Sequence, residues 1–315
     1  MNKDTYTLLV TNSCNFNCSF CATRKLKIKT YEHVSNKLRQ FFIDNKIKNL
    51  VISGGEPLMA PVSYLQEILE LMKEINNNED FEINIISNLV LWYKDPKKYD
   101  FLFKNKNVQV DTSFQYGGER KDEKDYSEER FVDLFNKFYE RYGYKLIFNY
   151  VVNKSNEQYT LKACELAKRL GTKLSLFPQL PIGASTEFYL QPNILKLCYD
   201  AIEAGYKDQL MNLDWIKYNQ CFFGTSNNCE NGAETFYFNE NGEIIKKYCY
   251  TSVISNLFLD KNEKVLFHKC YACKLKDFCN HCSIIKRFVE PFKEEHCKQM
   301  KLNLDKFIKL GIINE

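Results

Sequence analysis

The sequence predicts an α/β protein: a partial (β/α)6 barrel of the TIM type over residues 1–190, then a small cysteine-rich domain over residues 191–315. Three observations carry that expectation. Between residues 5 and 180, short β-rich runs alternate with longer helical patterns, the rhythm of βα units around a parallel sheet. After Pro178 the rhythm gives way to Gln-Leu-Pro-Ile-Gly-Ala, a breaker-rich string. The 13 cysteines are also unevenly placed, three within Cys14–Cys21 and eight within Cys221–Cys297.

Six strands are expected, at Thr5–Val10, Asn49–Ser53, Phe81–Ser87, Val108–Ser113, Lys145–Val152 and Lys173–Phe177. Helical segments lie between them. In Val62–Asn76, for example, Leu65, Ile68, Leu69, Met72 and Ile75 recur at helical spacing. Six units fall short of the eight that close a TIM barrel, so the form is open, with ligands at the C-terminal ends of the strands. The mixed-charge stretch Glu119–Arg130 reads as a solvated loop and helix start. A helix is expected around Ile194–Ala204, with the domain boundary near Gln191. Asn239-Glu240-Asn241-Gly242-Glu243 is a hairpin signal ahead of Cys249, suited to a small metal-held domain.

Composition narrows the function classes. With 44% apolar and 27% charged residues, the chain is neither disordered nor fibrous. Its 44 basic and 40 acidic side chains leave only +4, evenly spread, so no basic face points to nucleic acid. No run approaches the ~18 apolar residues of a membrane helix, and the N-terminus lacks a signal peptide's apolar stretch. The expected location is the cytoplasm, where thiols stay reduced and clustered cysteines read as metal ligands or reactive groups.

Cys14, Cys18 and Cys21 follow the first strand directly, with the spacing C-x3-C-x2-C. Three thiolates on a short loop can hold three irons of a 4Fe-4S cluster and leave the fourth to a small molecule. Zinc is the competing reading, but it needs a fourth ligand, and His33 is the first histidine downstream. The loop resembles the signature of the radical S-adenosylmethionine superfamily, with Phe20 at its aromatic position. That resemblance implies that S-adenosyl-L-methionine chelates the open iron and that Phe20 lies against its adenine. Gly54-Gly55-Glu56-Pro57, ending the second strand, is similar to the family's methionine-binding motif. Residues without Cβ would there let the backbone come close to a ligand.

Further positions follow from the same resemblance. Ser87-Asn88-Leu89 stands where the family has Thr-Asn-Gly, Ser113 matches a ribose-contacting serine, and Gln115 replaces the usual Asp. Arg120 or Arg130 matches a cofactor-contacting arginine, and Leu176-Phe177-Pro178 a segment whose backbone meets the adenine. By strand alternation Gln109, Asp111 and Ser113 share one polar face, and Val108, Val110 and Thr112 the other. Asp111, Gln115 and Gln179 are candidates for substrate contact, with Asp111 as a possible base.

The C-terminal thiols run Cys221-x7-Cys229-x19-Cys249-x20-Cys270-x2-Cys273-x5-Cys279-x2-Cys282-x14-Cys297. Eight thiolates suffice for two cubane clusters, whereas a single zinc knuckle at Cys270–Cys282 leaves four cysteines unexplained. The array resembles the SPASM extension of this superfamily. It implies one auxiliary cluster on Cys221, Cys229, Cys249 and Cys282, and a second on Cys270, Cys273, Cys279 and Cys297. The gap Cys279-x2-Cys282 is one residue shorter than the family's. His268, His281 and His296 read as supporting or surface groups. Cys164 and Cys198 sit on apolar helical faces and read as core residues, the alternative being donation of a hydrogen atom to a substrate radical.

Together the resemblances imply an enzyme with three 4Fe-4S clusters and S-adenosyl-L-methionine, reduced by a flavodoxin or ferredoxin. They imply hydrogen abstraction from a peptide or protein side chain, followed by electron transfer to the auxiliary clusters. A small metabolite is the alternative substrate. A non-catalytic iron–sulfur electron carrier is the alternative class, against which the methionine-binding turn argues. Because the first strand begins at residue 5, a leader-dependent enzyme would need a separate peptide-recognition protein.

Overall fold

The structure, a computed structural model, describes residues 5–77, 80–117, 120, 126–180, 184, 189, 191–217, 234–247 and 293–313. Its centre is a parallel sheet of β1 (Thr5–Leu9), β2 (Asn49–Ser53), β3 (Glu82–Ile86), β4 (Val108–Ser113), β5 (Ile147–Val152) and β6 (Leu174–Pro178). These pair strictly with their sequence neighbours, each in parallel register. Every connection is a crossover: α1 (Asn36–Asp44), α2 (Val62–Ile75), the pair α3 (Val90–Lys94) and α4 (Asp100–Phe103), α5 (Glu128–Tyr142) and α6 (Thr160–Leu170). This is the α/β partial barrel expected from the alternating pattern.

Local chemistry sets the helix ends. Ser35 and Ser127 cap α1 and α5 by accepting from the backbone N–H groups of Leu38 and Arg130. Gly143 and Gly171 end α5 and α6 with left-handed backbone, at φ 77° and 62°. Burial drives the rest. On α5, Phe131, Leu134, Phe135 and Phe138 are buried, and with Trp92, Phe103 and Phe148 they form an aromatic core between helices and sheet.

The two faces of the sheet differ. Along β3, β4 and β5, Ile83, Ile85, Val108, Val110, Thr112, Phe148, Tyr150 and Val152 are buried under the helices. The alternate residues Asn84, Ile86, Asp111, Ser113, Ile147, Asn149 and Val151 are only partly buried. Strand alternation therefore leaves a concave, partly polar face that the helices do not cover.

Two features extend this plan. β7 (Glu234–Phe238) pairs in parallel with β1, and β8 (Ile244–Lys247) returns antiparallel. The sheet order is thus β6-β5-β4-β3-β2-β1-β7-β8. The hairpin read at Gly242 forms, with Gly242 at φ 76°, but it continues the barrel sheet rather than belonging to the small cysteine-rich unit alone. β1 supplies the reason, since its second edge would otherwise be unpaired.

At the opposite edge, the chain after α7 (Gln191–Glu203) runs beside β6 and enters α8 (Asn212–Lys217). The Asn212 side chain accepts from Leu176 N–H and donates to Leu176 C=O, both at 2.8 Å. Leu176 therefore turns its side chain into the helix-side core and commits its backbone N–H to Asn212. A last helix, α9 (Lys293–Lys309), packs on α7, where Asn303 donates to Pro192 C=O at 2.8 Å. Among the described residues, no helix is long and apolar enough to cross a membrane.

Replacing Asn212 with Leu strands two buried polar groups of β6. Urea unfolding should show a loss of about 2–4 kcal/mol, larger than the same change at an exposed asparagine.

Candidate active site

The loop carrying Cys14, Cys18 and Cys21 leaves β1 at the C-terminal rim of the sheet and is pinned from below. Gly55 N–H donates to Thr11 C=O at 2.7 Å and Glu56 N–H to Ser13 C=O at 2.8 Å. The glycines are required by this contact. A Cβ on Gly54 would stand 2.3 Å from Thr11 O, and one on Gly55 would stand 2.3 Å from Ser13 O. The close approach expected of these glycines is seen here against the cysteine-loop backbone. Thr23 closes the return by donating to Gly54 C=O at 3.2 Å, and Asn12 by donating to Leu26 C=O at 2.9 Å.

Glu56 is fully buried and joins β2 to β3. Its carboxylate accepts from Ser87 Oγ at 2.7 Å, Asn88 N–H at 2.7 Å and Leu58 N–H at 3.1 Å. Loss of hydration raises its proton affinity, while these three donors and the charge of Arg120 favour the ionised form. Ser87 and Asn88 thus reach the site partly through Glu56. Asn88 also donates to Asn15 Oδ1 at 2.8 Å, tying β3 to the cysteine loop. Pro57 starts a short turn over residues 57–59 whose Leu58 is buried.

Leu89 adopts a left-handed backbone with φ 59° while fully buried. That conformation costs a leucine about 1–2 kcal/mol, which its burial in the core offsets.

Arg120 and Arg130 separate clearly. Arg130 sits on the first turn of α5 with its guanidinium 5.6 Å from the Tyr126 ring. Arg120 lies over Phe16 of the cysteine loop, at 5.1 Å, and donates to Gln115 Oε1 at 3.1 Å. Its Nε is buried and has no partner among the described residues. Gln115 is itself buried and donates to Asn149 C=O at 3.4 Å. Ser113 lies one inward step below Gln115, partly exposed on the concave face. Asp111 lies deeper on the same face, with Asn84 donating to its Oδ2 at 3.0 Å. Beyond β6, Gln179 accepts from Asn153 at 2.7 Å, and Ala184 N–H donates to Cys21 C=O at 2.9 Å, joining the last strand's exit to the loop after the first.

Of the three thiols, Cys18 is buried, Cys21 partly exposed and Cys14 exposed. The protein around the Cys14 thiol nevertheless withholds enough water to push it up to about 11, and Glu56, Cys18 and Cys21 add to the effect. The Cys14 thiol holds its proton until a metal displaces it. Among the described residues, no three His, Cys, Asp or Glu side chains converge as the ligands of one ion. The donor set fits a 4Fe-4S cluster: three thiols on one loop, one for each of three irons, beside a buried guanidinium N–H that lacks an acceptor among the described residues.

Of the C-terminal array, Cys297 lies on α9, partly exposed. Cys221, Cys229, Cys249, Cys270, Cys273, Cys279 and Cys282 lie outside the described residues. Cys164 and Cys198 are fully buried in the helix layer, as their spacing indicated, and burial pushes the Cys164 thiol up to about 12. Sequence reasoning missed Phe16, Asn15 and Asn84. Asn84 was findable, since it lies at a polar alternate position of β3; Phe16 and Asn15 carry no pattern beyond lying between the cysteines.

The family model of the radical SAM superfamily matches residues 8–176, more than half of the chain, and the chain belongs to that superfamily. Its fold is similar to that of anSMEcpe with bound AdoMet, at TM-score 0.70 and 15% identity over 97% of each chain. The same protein is also known with AdoMet and the Kp18Cys peptide bound, at TM-score 0.66, 15% identity, and 97% of this chain and 96% of that one. SuiB of Streptococcus suis, bound to precursor peptide SuiA, aligns at TM-score 0.55 and 15% identity over 90% of this chain and 70% of its own. A candidate glycyl-radical enzyme activating enzyme of Methanocaldococcus jannaschii is 32% identical over 68 residues, 21% of this chain. The chain spans about a quarter of that curated relative's length, 26%.

Gly55→Ala drives a Cβ into the Ser13 carbonyl and should displace the cysteine loop. The purified variant, reconstituted anaerobically, is expected to bind about four fewer irons than the wild type, with the cooperative unfolding of the barrel retained.

Proposed function

We propose that this chain is a radical S-adenosylmethionine oxidoreductase that modifies a peptide or protein side chain and passes an electron to two auxiliary clusters. The observation that carries the reading is the rim of the barrel, where three thiols on one loop are locked by the Gly54-Gly55-Glu56 turn beside Arg120. When bound, the reduced cluster and S-adenosyl-L-methionine supply a 5'-deoxyadenosyl radical that takes a hydrogen atom from the substrate.

The chain's own groups have the following parts in this reading. Cys14, Cys18 and Cys21 hold three irons. The Gly54-Gly55 backbone fixes the loop, and with Pro57 it shapes the methionine end of the site. Glu56 is a positioning residue, orienting Ser87 and Asn88. Arg120, stacked on Phe16, offers its unpartnered Nε–H to the carboxylate of the cofactor, a charge-assisted bond. Phe20 and Ser113 are assigned to adenine and ribose contact. The partly exposed concave face below them receives the substrate and limits water around the reacting C–H bond. Cys221, Cys229, Cys249 and Cys282 are assigned to one auxiliary cluster, and Cys270, Cys273, Cys279 and Cys297 to the other. Clusters fully ligated by thiolates have no open iron for substrate and suit electron acceptance.

The peptide reading is supported by two fold neighbours with bound peptides, anSMEcpe with Kp18Cys and SuiB with SuiA. A flavodoxin or ferredoxin is the proposed donor, with a separate recognition protein where a leader peptide is involved. Cytoplasmic residence accords with the reduced thiols that this chemistry needs.

Anaerobic reconstitution followed by iron and sulfide counting and detection of 5'-deoxyadenosine tests the reading. About twelve irons and deoxyadenosine after dithionite reduction are expected; about four irons with zinc would remove the auxiliary clusters and the oxidation with them. Changing Cys273 and Cys279 to Ala should preserve the barrel and abolish product, and unchanged turnover would refute their assignment. Arg120→Met should weaken S-adenosyl-L-methionine binding by about tenfold or more, whereas Arg130→Met should leave it within twofold of the wild type, about 0.4 kcal/mol.

A further inference from the structure

One charged group on the concave face is used by neither the fold nor the proposed cofactor contacts. Asp111 sits at the inward-facing fourth position of β4, between Ile86 of β3 and Ile147 of β5 in the sheet register. Its Oδ2 accepts from Asn84 Nδ2, its one side-chain hydrogen bond among the described residues. No cation and no second carboxylate of the described residues bears on it, and desolvation raises its proton affinity against the Asn84 bond. The other ionisable strand residue on this face of β3 and β4 is Glu82, exposed at the far end and bonded to Gln109.

Asn84 sharpens the picture. Asn84 donates its NH2 to Asp111 Oδ2, which turns its carbonyl away. That carbonyl oxygen, Oδ1, is buried and has no partner among the described residues. The pair therefore leaves two acceptors without a donor among the described residues, Asp111 Oδ1 and the buried Asn84 Oδ1, between Ile86 and Ile147, which make the face apolar on either side. Asp111, Ile86 and Ile147 all remain partly exposed, so the seat is not sealed.

A group that answers this seat carries several N–H donors, no acceptor, and a positive charge on an apolar stem. A hydroxyl brings its own acceptor, and an anion would be repelled. We propose that Asp111 and Asn84 form the seat of a primary ammonium group of the substrate, whose methylene stem lies between Ile86 and Ile147. The inference rests on the reading of the concave face as the substrate chamber and names the class of substrate that chamber takes. The ammonium belongs to a lysine side chain of a peptide or to a free alkyl amine, and the same seat serves both.

The test is equilibrium binding by calorimetry to the iron-loaded protein with S-adenosyl-L-methionine bound and no reductant present. Two probe pairs separate the sources: acetyl-Gly-Lys-Gly-amide against its norleucine counterpart, and n-hexylammonium against n-hexanol. In at least one pair the charged member should bind about tenfold or more tightly than the neutral one. A preference in the peptide pair assigns the seat to a peptide lysine, and one confined to the hexyl pair assigns it to a small amine. Asp111→Asn should erase the preference, and Asp111→Glu, which restores the charge, should keep part of it. Equal binding of charged and neutral probes in both pairs overturns the proposal, as does a preference that survives in Asp111→Asn. Because no turnover is read, failure here is distinct from failure to cleave S-adenosyl-L-methionine, which would strike the radical reading itself.

Discussion

The contact between the Gly54-Gly55 backbone and the Thr11–Ser13 backbone is the constraint on which the rest of the site depends. Two backbone hydrogen bonds at 2.7 and 2.8 Å hold the cysteine loop to the end of β2, and neither glycine has room for a Cβ. The loop has little regular structure of its own to fix three sulfurs. Its shape is borrowed from the strand beside it, and β2 in turn is fixed by a fully parallel ladder on both sides. The thiols are therefore positioned by sheet register, which a loop of this length could not achieve alone.

From that contact the order passes outward through buried polar groups. Glu56 extends it to Ser87 and Asn88, Asn88 returns it to Asn15, and Gln115 with Arg120 carries it to Phe16. A buried carboxylate is costly unless its acceptors are filled, and Glu56 meets three donors. The network gives the rim one arrangement, so that the ends of β1, β2, β3 and β4 behave as one unit. The strained Leu89 backbone fits the same scheme, because the turn after Asn88 is held by bonds on both sides.

The chemistry divides along the faces of the sheet. The helix-side face is closed by Phe131, Phe138, Phe148 and Trp92 and gives stability. The concave face keeps Asp111, Ser113 and Asn149 partly exposed. A parallel sheet normally buries both faces, and here the helices among the described residues bury one face more fully than the other.

The six βα units, the cysteine loop and the inward polar face of β4 were determined by sequence alone, because alternation, helical spacing and thiol spacing are local patterns. The different surroundings of Arg120 and Arg130 were not, since a separation of ten positions in the chain fixes no distance to the cysteine loop. Nor was the backbone neighbour of the two glycines, the placement of Leu176 against Asn212, or the addition of β7 to the edge of β1. Each joins residues far apart in the chain, 36 positions in the case of Leu176 and Asn212. Such pairings are decided by which sheet edge or buried polar group remains to be satisfied once the helices have packed, and only the tertiary structure carries that information.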